Sequence, residues 1–158
     1  MKVLKKIIFI VVLVSISIGL LFVGSGYDMY KKAIEETSIE DKIAEIKSKE
    51  NYTKISELPQ MYKNAVISVE DHRFYKHNGI DIIAIGRAAF NDIKAMSFVE
   101  GGSTITQQIA KNIYFTQEKK IERKIAEVFM AFKIEKNCDK DEILELYLNT
   151  SYFGDGYD

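Results

Sequence analysis

Gly101-Gly102-Ser103-Thr104-Ile105-Thr106-Gln107-Gln108-Ile109-Ala110-Lys111-Asn112 is the stretch on which the reading of the fold turns. Its two glycines end a segment, Ser97 to Gly102, that reads as a mobile loop. Ser103 or Thr104 then offers a hydroxyl oxygen to the first unpaired amides of a helix. Ile105, Ile109 and Ile113 recur at i, i+4 and i+8, which gives that helix one apolar face. Gln107, Gln108 and Lys111 remain polar within it, and the lysine sits one turn beyond the glutamines.

The flanking segments read as helices too. Downstream, a longer helix spans about Glu118 to Lys136, and Asp139 with Glu142 resembles a capping box for a last helix ending near Asn149. Upstream, Asp81 caps a helix whose apolar face is Ile82, Ile85, Ala89 and Ile93. Before that, Ser56 caps a helix with Pro59 in its first turn and a stripe of Tyr62, Ala65, Val66 and Val69, which delivers Glu70 and Asp71 at its C-terminal end. No segment alternates as a strand does, so the expected fold class is mainly α.

At the N-terminus Lys2, Lys5 and Lys6 precede an uncharged run, residues 7–26, dominated by Ile, Val, Leu and Phe. About 20 residues span the hydrocarbon core of a bilayer. The run is longer than the h-region of a cleaved signal peptide, about 7 to 15 residues. The expected organisation is a cytoplasmic tail (1–6), a transmembrane anchor (7–26), a charged stalk (27–55) and a folded domain (56–158). Flanking lysines favour a cytoplasmic N-terminus, which places the domain outside the cell membrane.

The 158 residues leave room for one domain and an appendage. With 22 basic and 23 acidic residues, a net charge of −1 offers no electrostatic footprint for nucleic acid. The single cysteine, Cys138, lacks a disulfide partner or a neighbouring zinc-ligand pattern and reads as an inert thiol.

Five blocks carry the chemistry. Glu70-Asp71-His72-Arg73-Phe74-Tyr75-Lys76-His77-Asn78-Gly79 is the first, and the stretch from Gly101 to Asn112 is the second. Arg123-Lys124-Ile125-Ala126-Glu127 is the third, Lys140 to Asn149 the fourth, and Tyr152-Phe153-Gly154-Asp155-Gly156-Tyr157 the fifth. In order and content these resemble the signature motifs of glycosyltransferase family 51, the peptidoglycan glycosyltransferases, over about Ser56 to Asp158. The resemblance implies a lysozyme-like domain, incomplete at its C-terminus because the family's domain continues past the fifth block. It also implies an activity: polymerisation of lipid II, with a C4 hydroxyl joined to an anomeric carbon and undecaprenyl pyrophosphate leaving. That reaction needs a base for the hydroxyl and positive charge for the pyrophosphate.

By the resemblance Glu70 is the base, and its place beside an apolar helix face is consistent with the partial burial that suits a carboxylate to the task. Read without the motif, it is a solvated residue at a helix end. Lys119, Arg123 and Glu127 share one stripe of their helix at about 100° per residue, with Ile121, Ile125, Val128 and Phe132 on the opposite side. Such spacing is more commonly a solvated face with ion pairs. The resemblance makes Glu127 the second active-site carboxylate and a ligand for a divalent cation, Mg²⁺, and assigns Arg123, Lys119 and Lys111 to the pyrophosphate. Ser103, Gln107 and Gln108 supply neutral donors to substrate oxygens, with Thr104 divided between ligand and helix cap. Asp71 and His77 organise the Glu70 loop, Asn112 supports the second block, and Phe74 packs. Met96, Phe98 and Val99 form a candidate patch at the membrane interface.

Implied partners are lipid II, the growing glycan strand, the cytoplasmic membrane and other cell-wall synthesis proteins. Two other readings compete: a lysozyme-like hydrolase, disfavoured by the basic stripe, and an inactive membrane-anchored fragment. Neither Ser-x-x-Lys nor Lys-Thr-Gly occurs, so these residues offer no transpeptidase nucleophile.

Overall fold

A computed structural model of the chain describes residues 2–97, 101–116 and 120–151. Among these the regular elements are all helical, as the missing strand alternation predicts: α1 (Lys2–Glu36), α2 (Ile39–Lys47), α3 (Gln60–Glu70), α4 (Ile82–Ala95), α5 (Ile105–Tyr114), α6 (Ile121–Asn137) and α7 (Lys140–Leu148), with short 3₁₀ turns at Ile55–Glu57 and Phe74–Lys76.

α1 is one unbroken helix of 35 residues, long and apolar enough to cross a membrane. Its serines fit the apolar run because each hydroxyl donates back to the preceding turn, Ser15 to the Val11 carbonyl and Ser17 to that of Leu13, both at 2.9 Å. Beyond the run the same helix packs on α6, with the Tyr27 and Tyr30 rings 5.2 and 5.9 Å from the Phe129 ring.

The expected stalk is therefore not an extended spacer. Ser38 caps α2, and Ile39 and Ile46 are fully enclosed in the same core as Ile105, Met130 and Leu144. The chain that follows is clasped to α7: the Thr53 amide donates to Asn149 Oδ1 at 2.8 Å, Asn149 Nδ2 returns a bond to the Thr53 carbonyl at 2.9 Å, and Glu145 accepts from the Ile55 amide at 2.7 Å and from the Tyr52 hydroxyl. The folded body thus begins well before Ser56. Charged residues scattered through 27–55 conceal an apolar face formed by Tyr30, Ala33, Ile34, Ile39, Ile43 and Ile46.

α5 lies at the centre, with Ile105, Ile109 and Ala110 buried between α6 and α7. Of the two expected caps it is Thr104 that starts α5, and it does so in a capping box: Thr104 accepts from the Gln107 amide while Gln107 Oε1 accepts from the Thr104 amide, both at 3.1 Å. Asp139 caps α7 through the Glu142 amide at 2.8 Å, whereas the Glu142 carboxylate turns to Lys47 at 2.7 Å.

Three apolar faces differ from expectation. α3 buries Val66 but leaves Val69 80% exposed, and its N-cap position is Pro59, with Ser56 in the preceding 3₁₀ turn. α4 buries Ala88 and leaves Ile82 and Ile93 74% and 78% exposed. On α6 the enclosed side is Ala126, Glu127, Met130, Ala131 and Ile134, while Ile121 and Phe132 point outward. Spacing defines a stripe, but the neighbours that cover a stripe come from the tertiary crossing. On α6 a carboxylate joins the buried side because cations meet it there.

Candidate active site

The first block turns out of α3 as a knot. Glu70 ends the helix and is exposed, whereas Asp71 caps it and is buried. The Asp71 carboxylate accepts from His77 Nε2 at 2.9 Å and from the Ile105 amide, the first of α5, at 3.1 Å. Thr104 Oγ1 donates to the Gly79 carbonyl at 2.6 Å. Gly79 holds φ +93° and lies so close to the Ala131 backbone that a Cβ would sit 3.2 Å from it, which only glycine tolerates. Phe74 is enclosed, with the Lys140 ammonium 4.5 Å above its ring. Asp71 and His77 thus bind the Glu70 turn to the start of α5.

Asp81 extends this knot. It caps α4 through the Ile83 and Ala84 amides at 2.9 and 3.1 Å and pairs with Arg73 Nε at 2.8 Å. Burial opposes its ionisation, but the two amides and the guanidinium outweigh it and hold the carboxyl below its usual value.

Glu70 is placed from two other helices. Gln108 Nε2 donates to its carboxylate at 2.8 Å, and the Tyr147 hydroxyl of α7 reaches Gln108 Oε1 at 3.4 Å. Burial first, and then the negative charge of Glu70, raise the Tyr147 phenol. The expected partial burial of Glu70 is absent. Orientation by Gln108 takes its place.

Glu127 is the reverse case, 1% exposed and surrounded by charge. Arg123 pairs with one oxygen and the Lys124 ammonium with the other at 2.8 Å, and the same ammonium donates to Ser103 Oγ at 2.6 Å. Lys124 therefore ties the second block to the third. The sequence reading quoted it inside a motif yet gave it no role, because its partner on another chain segment is set by the approach of that segment to α6.

Two cavities meet at Gly102 and Ser103. The first, about 240 Å³, is lined by Glu70, Asp71, Asp81 and Arg87; the second, about 360 Å³, by Ile85, Ala88, Lys124 and Val128. Gly102 allows a close approach at this junction, since a Cβ would lie 3.1 Å from Ile85 Cα and crowd α4. Arg87, unremarked in the sequence, enters the first cavity from α4 because its helix crosses the Glu70 turn. One chamber therefore offers a carboxylate, and the other a cation beside apolar surface.

Other expected residues divide. Ser103, expected as a donor to substrate oxygens, lies at the junction of the two cavities. Gln107 is 2% exposed and its carbonyl oxygen serves the cap, so it is more a scaffold than a ligand, although it borders the second cavity. Thr104 is committed to the cap and to Gly79. Lys111 is half-buried on α5. Asn112 is not brought to Glu70: it donates to the Thr150 carbonyl at 3.4 Å and faces a separate cavity beside Lys42, Ile46 and Lys49. Lys119, Phe98, Val99 and the fifth block from Tyr152 lie outside the described residues.

Glu127 fits a divalent cation poorly, because both of its oxygens are already ion-paired. Asp71, His77 and Asp81 place ligand atoms within 4.8 Å of one another, yet the carboxylates are satisfied by amides, Arg73 and the imidazole.

Comparison with known proteins agrees with this arrangement. The family model described as Transglycosylase matches residues 38–158. Penicillin-binding protein 1F of Bacillus subtilis is 53% identical over 102 residues, which are 65% of this chain and 14% of that protein. Penicillin-binding protein 1A of Aquifex aeolicus is 50% identical over 105 residues, covering 66% of this chain and 14% of that protein. A monofunctional glycosyltransferase of Staphylococcus saprophyticus is 46% identical over 114 residues, 72% of this chain and 42% of its own. The chain thus spans about one seventh of the penicillin-binding proteins and under half of the monofunctional enzyme. The match from residue 38 also agrees with a folded body that includes α2.

Proposed function

The chain belongs to the transglycosylase family, and from that membership we propose that it is a peptidoglycan glycosyltransferase, polymerising lipid II into glycan strands with release of undecaprenyl pyrophosphate. The observation that carries the reading is the pair of chambers joined at Ser103, with Glu70 in one and Lys124, held against Glu127, at the other.

In this mechanism the acceptor sugar enters the Glu70 chamber with its C4 hydroxyl toward the carboxylate that Gln108 orients. Glu70 takes the hydroxyl proton as the oxygen bonds to the donor's anomeric carbon. The bond from that carbon to pyrophosphate breaks, and the electron pair leaves with the phosphate. Lys124, Arg123 and Lys111 meet the departing negative charge, and Ser103 supplies a neutral donor at the junction. Glu127 keeps the two cations of α6 in place; its burial makes the pairing stiff. Lys119 belongs to the same group by the family resemblance. A bound Mg²⁺ would add charge neutralisation at the pyrophosphate, though Glu127 would have to give up one of its cations to ligate it.

Location follows the same reading. α1 serves as a single membrane span, with Lys2, Lys5 and Lys6 on the cytoplasmic side and the catalytic body outside. The exposed apolar residues of α4 and the adjoining Met96, 93% exposed, suit contact with the interface from which the lipid-linked substrate is drawn.

Purified full-length chain in phospholipid vesicles, given lipid II, should produce polymeric glycan and lose that ability in Glu70→Gln. Release of fragments from preformed glycan, or undiminished polymerisation by E70Q, would refute this assignment.

A further inference from the structure

α1 passes from its apolar run into the folded body without a break, and at Gly26 it lies tight against α6. This residue is buried, whereas the apolar residues before it are exposed apart from the half-buried Phe22, one turn earlier. A Cβ at position 26 would lie 2.6 Å from both Cβ and Cγ2 of Ile125 and 2.9 Å from the Glu122 carbonyl oxygen, nearer than atoms pack. Gly19 and Gly24, on the same helix, have nothing within 4 Å of that position. The close approach is therefore particular to residue 26.

The two helices run side by side in the same direction. Gly26 lies opposite Glu122 and Ile125, and Tyr27 and Tyr30, further along α1, meet Phe129, further along α6. Arg123, Lys124 and Glu127 all lie on the part of α6 fixed by these contacts, within about 6 Å along its axis at 1.5 Å per residue. Gly26 also lies at the end of the membrane-length segment, two residues before Asp28, the first charged residue after Lys6. The cation cluster thus stands level with the end of the membrane-length segment.

We propose that Gly26 is a positioning residue whose missing side chain sets the depth of Arg123, Lys124 and Glu127 over the bilayer, so that the pyrophosphate of an embedded lipid-linked sugar meets them at headgroup level. This rests on the glycosyltransferase reading given above. A side chain at 26 wedges α1 from α6 and displaces the cluster from a phosphate that the bilayer holds at constant height. A substrate free in water adjusts to that displacement, whereas one anchored by a long lipid does not.

The test uses the full chain in vesicles whose lipids carry a headgroup quencher, with a fluorophore on Thr116→Cys in a Cys138→Ser background. Gly26→Ala should change the quenching at least twofold. It should lower turnover of vesicle-embedded lipid II by about tenfold to a hundredfold, the scale of an ångström-sized misplacement, while a short-chain, water-soluble analogue is processed at the wild-type rate. G26A combined with Ile125→Gly, which removes the Ile125 contacts but leaves the Glu122 carbonyl, should recover part of both losses, and Gly24→Ala should show neither. Unchanged quenching in G26A would overturn the proposal, as would an equal loss on the two substrates, the mark of a damaged fold. A wild-type chain inactive on both substrates would instead overturn the glycosyltransferase reading, leaving the quenching to decide the depth proposal.

Discussion

The Gln108 side-chain amide donates to the Glu70 carboxylate at 2.8 Å, so an exposed acid at the end of one helix is oriented from the middle of another. Gln108→Ala leaves the Glu70 carboxylate in place and removes its tether. The expected result is a fall in kcat of about tenfold with little change in KM, while Glu70→Gln costs about 10²- to 10⁴-fold. Steady-state polymerisation kinetics of the two variants measure the difference.

Glu127 is enclosed with a cation on each oxygen. Glu127→Ala removes an enclosed carboxylate from between two cations, one of them the half-buried Arg123, and should destabilise the folded body by about 3 kcal/mol. Lys124→Ala should cost less, because that lysine's side chain is 47% exposed and water screens it. Its larger effect should be on turnover. Urea unfolding in detergent, followed by helix signal, separates the two variants.

The Asp81 carboxyl is held below its usual value, so the sign of its linkage is that of a depressed acid. Its stabilisation is complete above the unfolded-state value of about 3.9 and disappears as pH falls through the folded-state value. Asp81→Ala should therefore cost about 2 kcal/mol at neutral pH through the lost cap and ion pair. The gap to wild type should narrow below about pH 4. Unfolding curves taken from pH 7 down to acid read this directly; a gap that stays constant would contradict it.

Burial, and next the neighbouring Glu142, push the Cys138 thiol up to about 12. The native protein should resist a thiol-specific reagent at pH 8 and react stoichiometrically once unfolded. The inert thiol read from the sequence then has a physical cause, enclosure between α2, α6 and α7.

Local signals were legible in the sequence where their partners lie within a turn. The Thr104 and Asp81 caps follow from hydroxyl or carboxylate spacing ahead of an apolar run, and both occur. The five blocks located Glu70, Glu127 and Ser103. What the sequence hid depends on partners distant along the chain. Lys124 gains its role from Ser103, Gln108 from Glu70, and Asn149 from Thr53, each through helix crossings that no local pattern encodes. The buried side of α6 was misassigned for a related reason: Ile121 and Phe132 are apolar without a cover, whereas Glu127 is charged and covered. In segment 27–55 the helical spacing of Ile34, Ile39, Ile43 and Ile46 is visible among the charges, but that these residues feed the core depends on α6 and α7 covering them.

The clasp of Thr53 and Ile55 to α7, together with Ile39 and Ile46 inside the core, bears on how a soluble form can be made. Cutting at Ser56, where the motifs begin, would strip one wall from the interior and leave Phe129 bare, giving a sticky product that elutes in the void volume of a sizing column. Cutting near Gly26 discards the greasy segment and keeps the wall. The lipid-facing handle and the structural brace are halves of a single rod, and the safe place to saw it lies thirty or so residues upstream of the motif boundary, by direct count from Gly26 to Ser56.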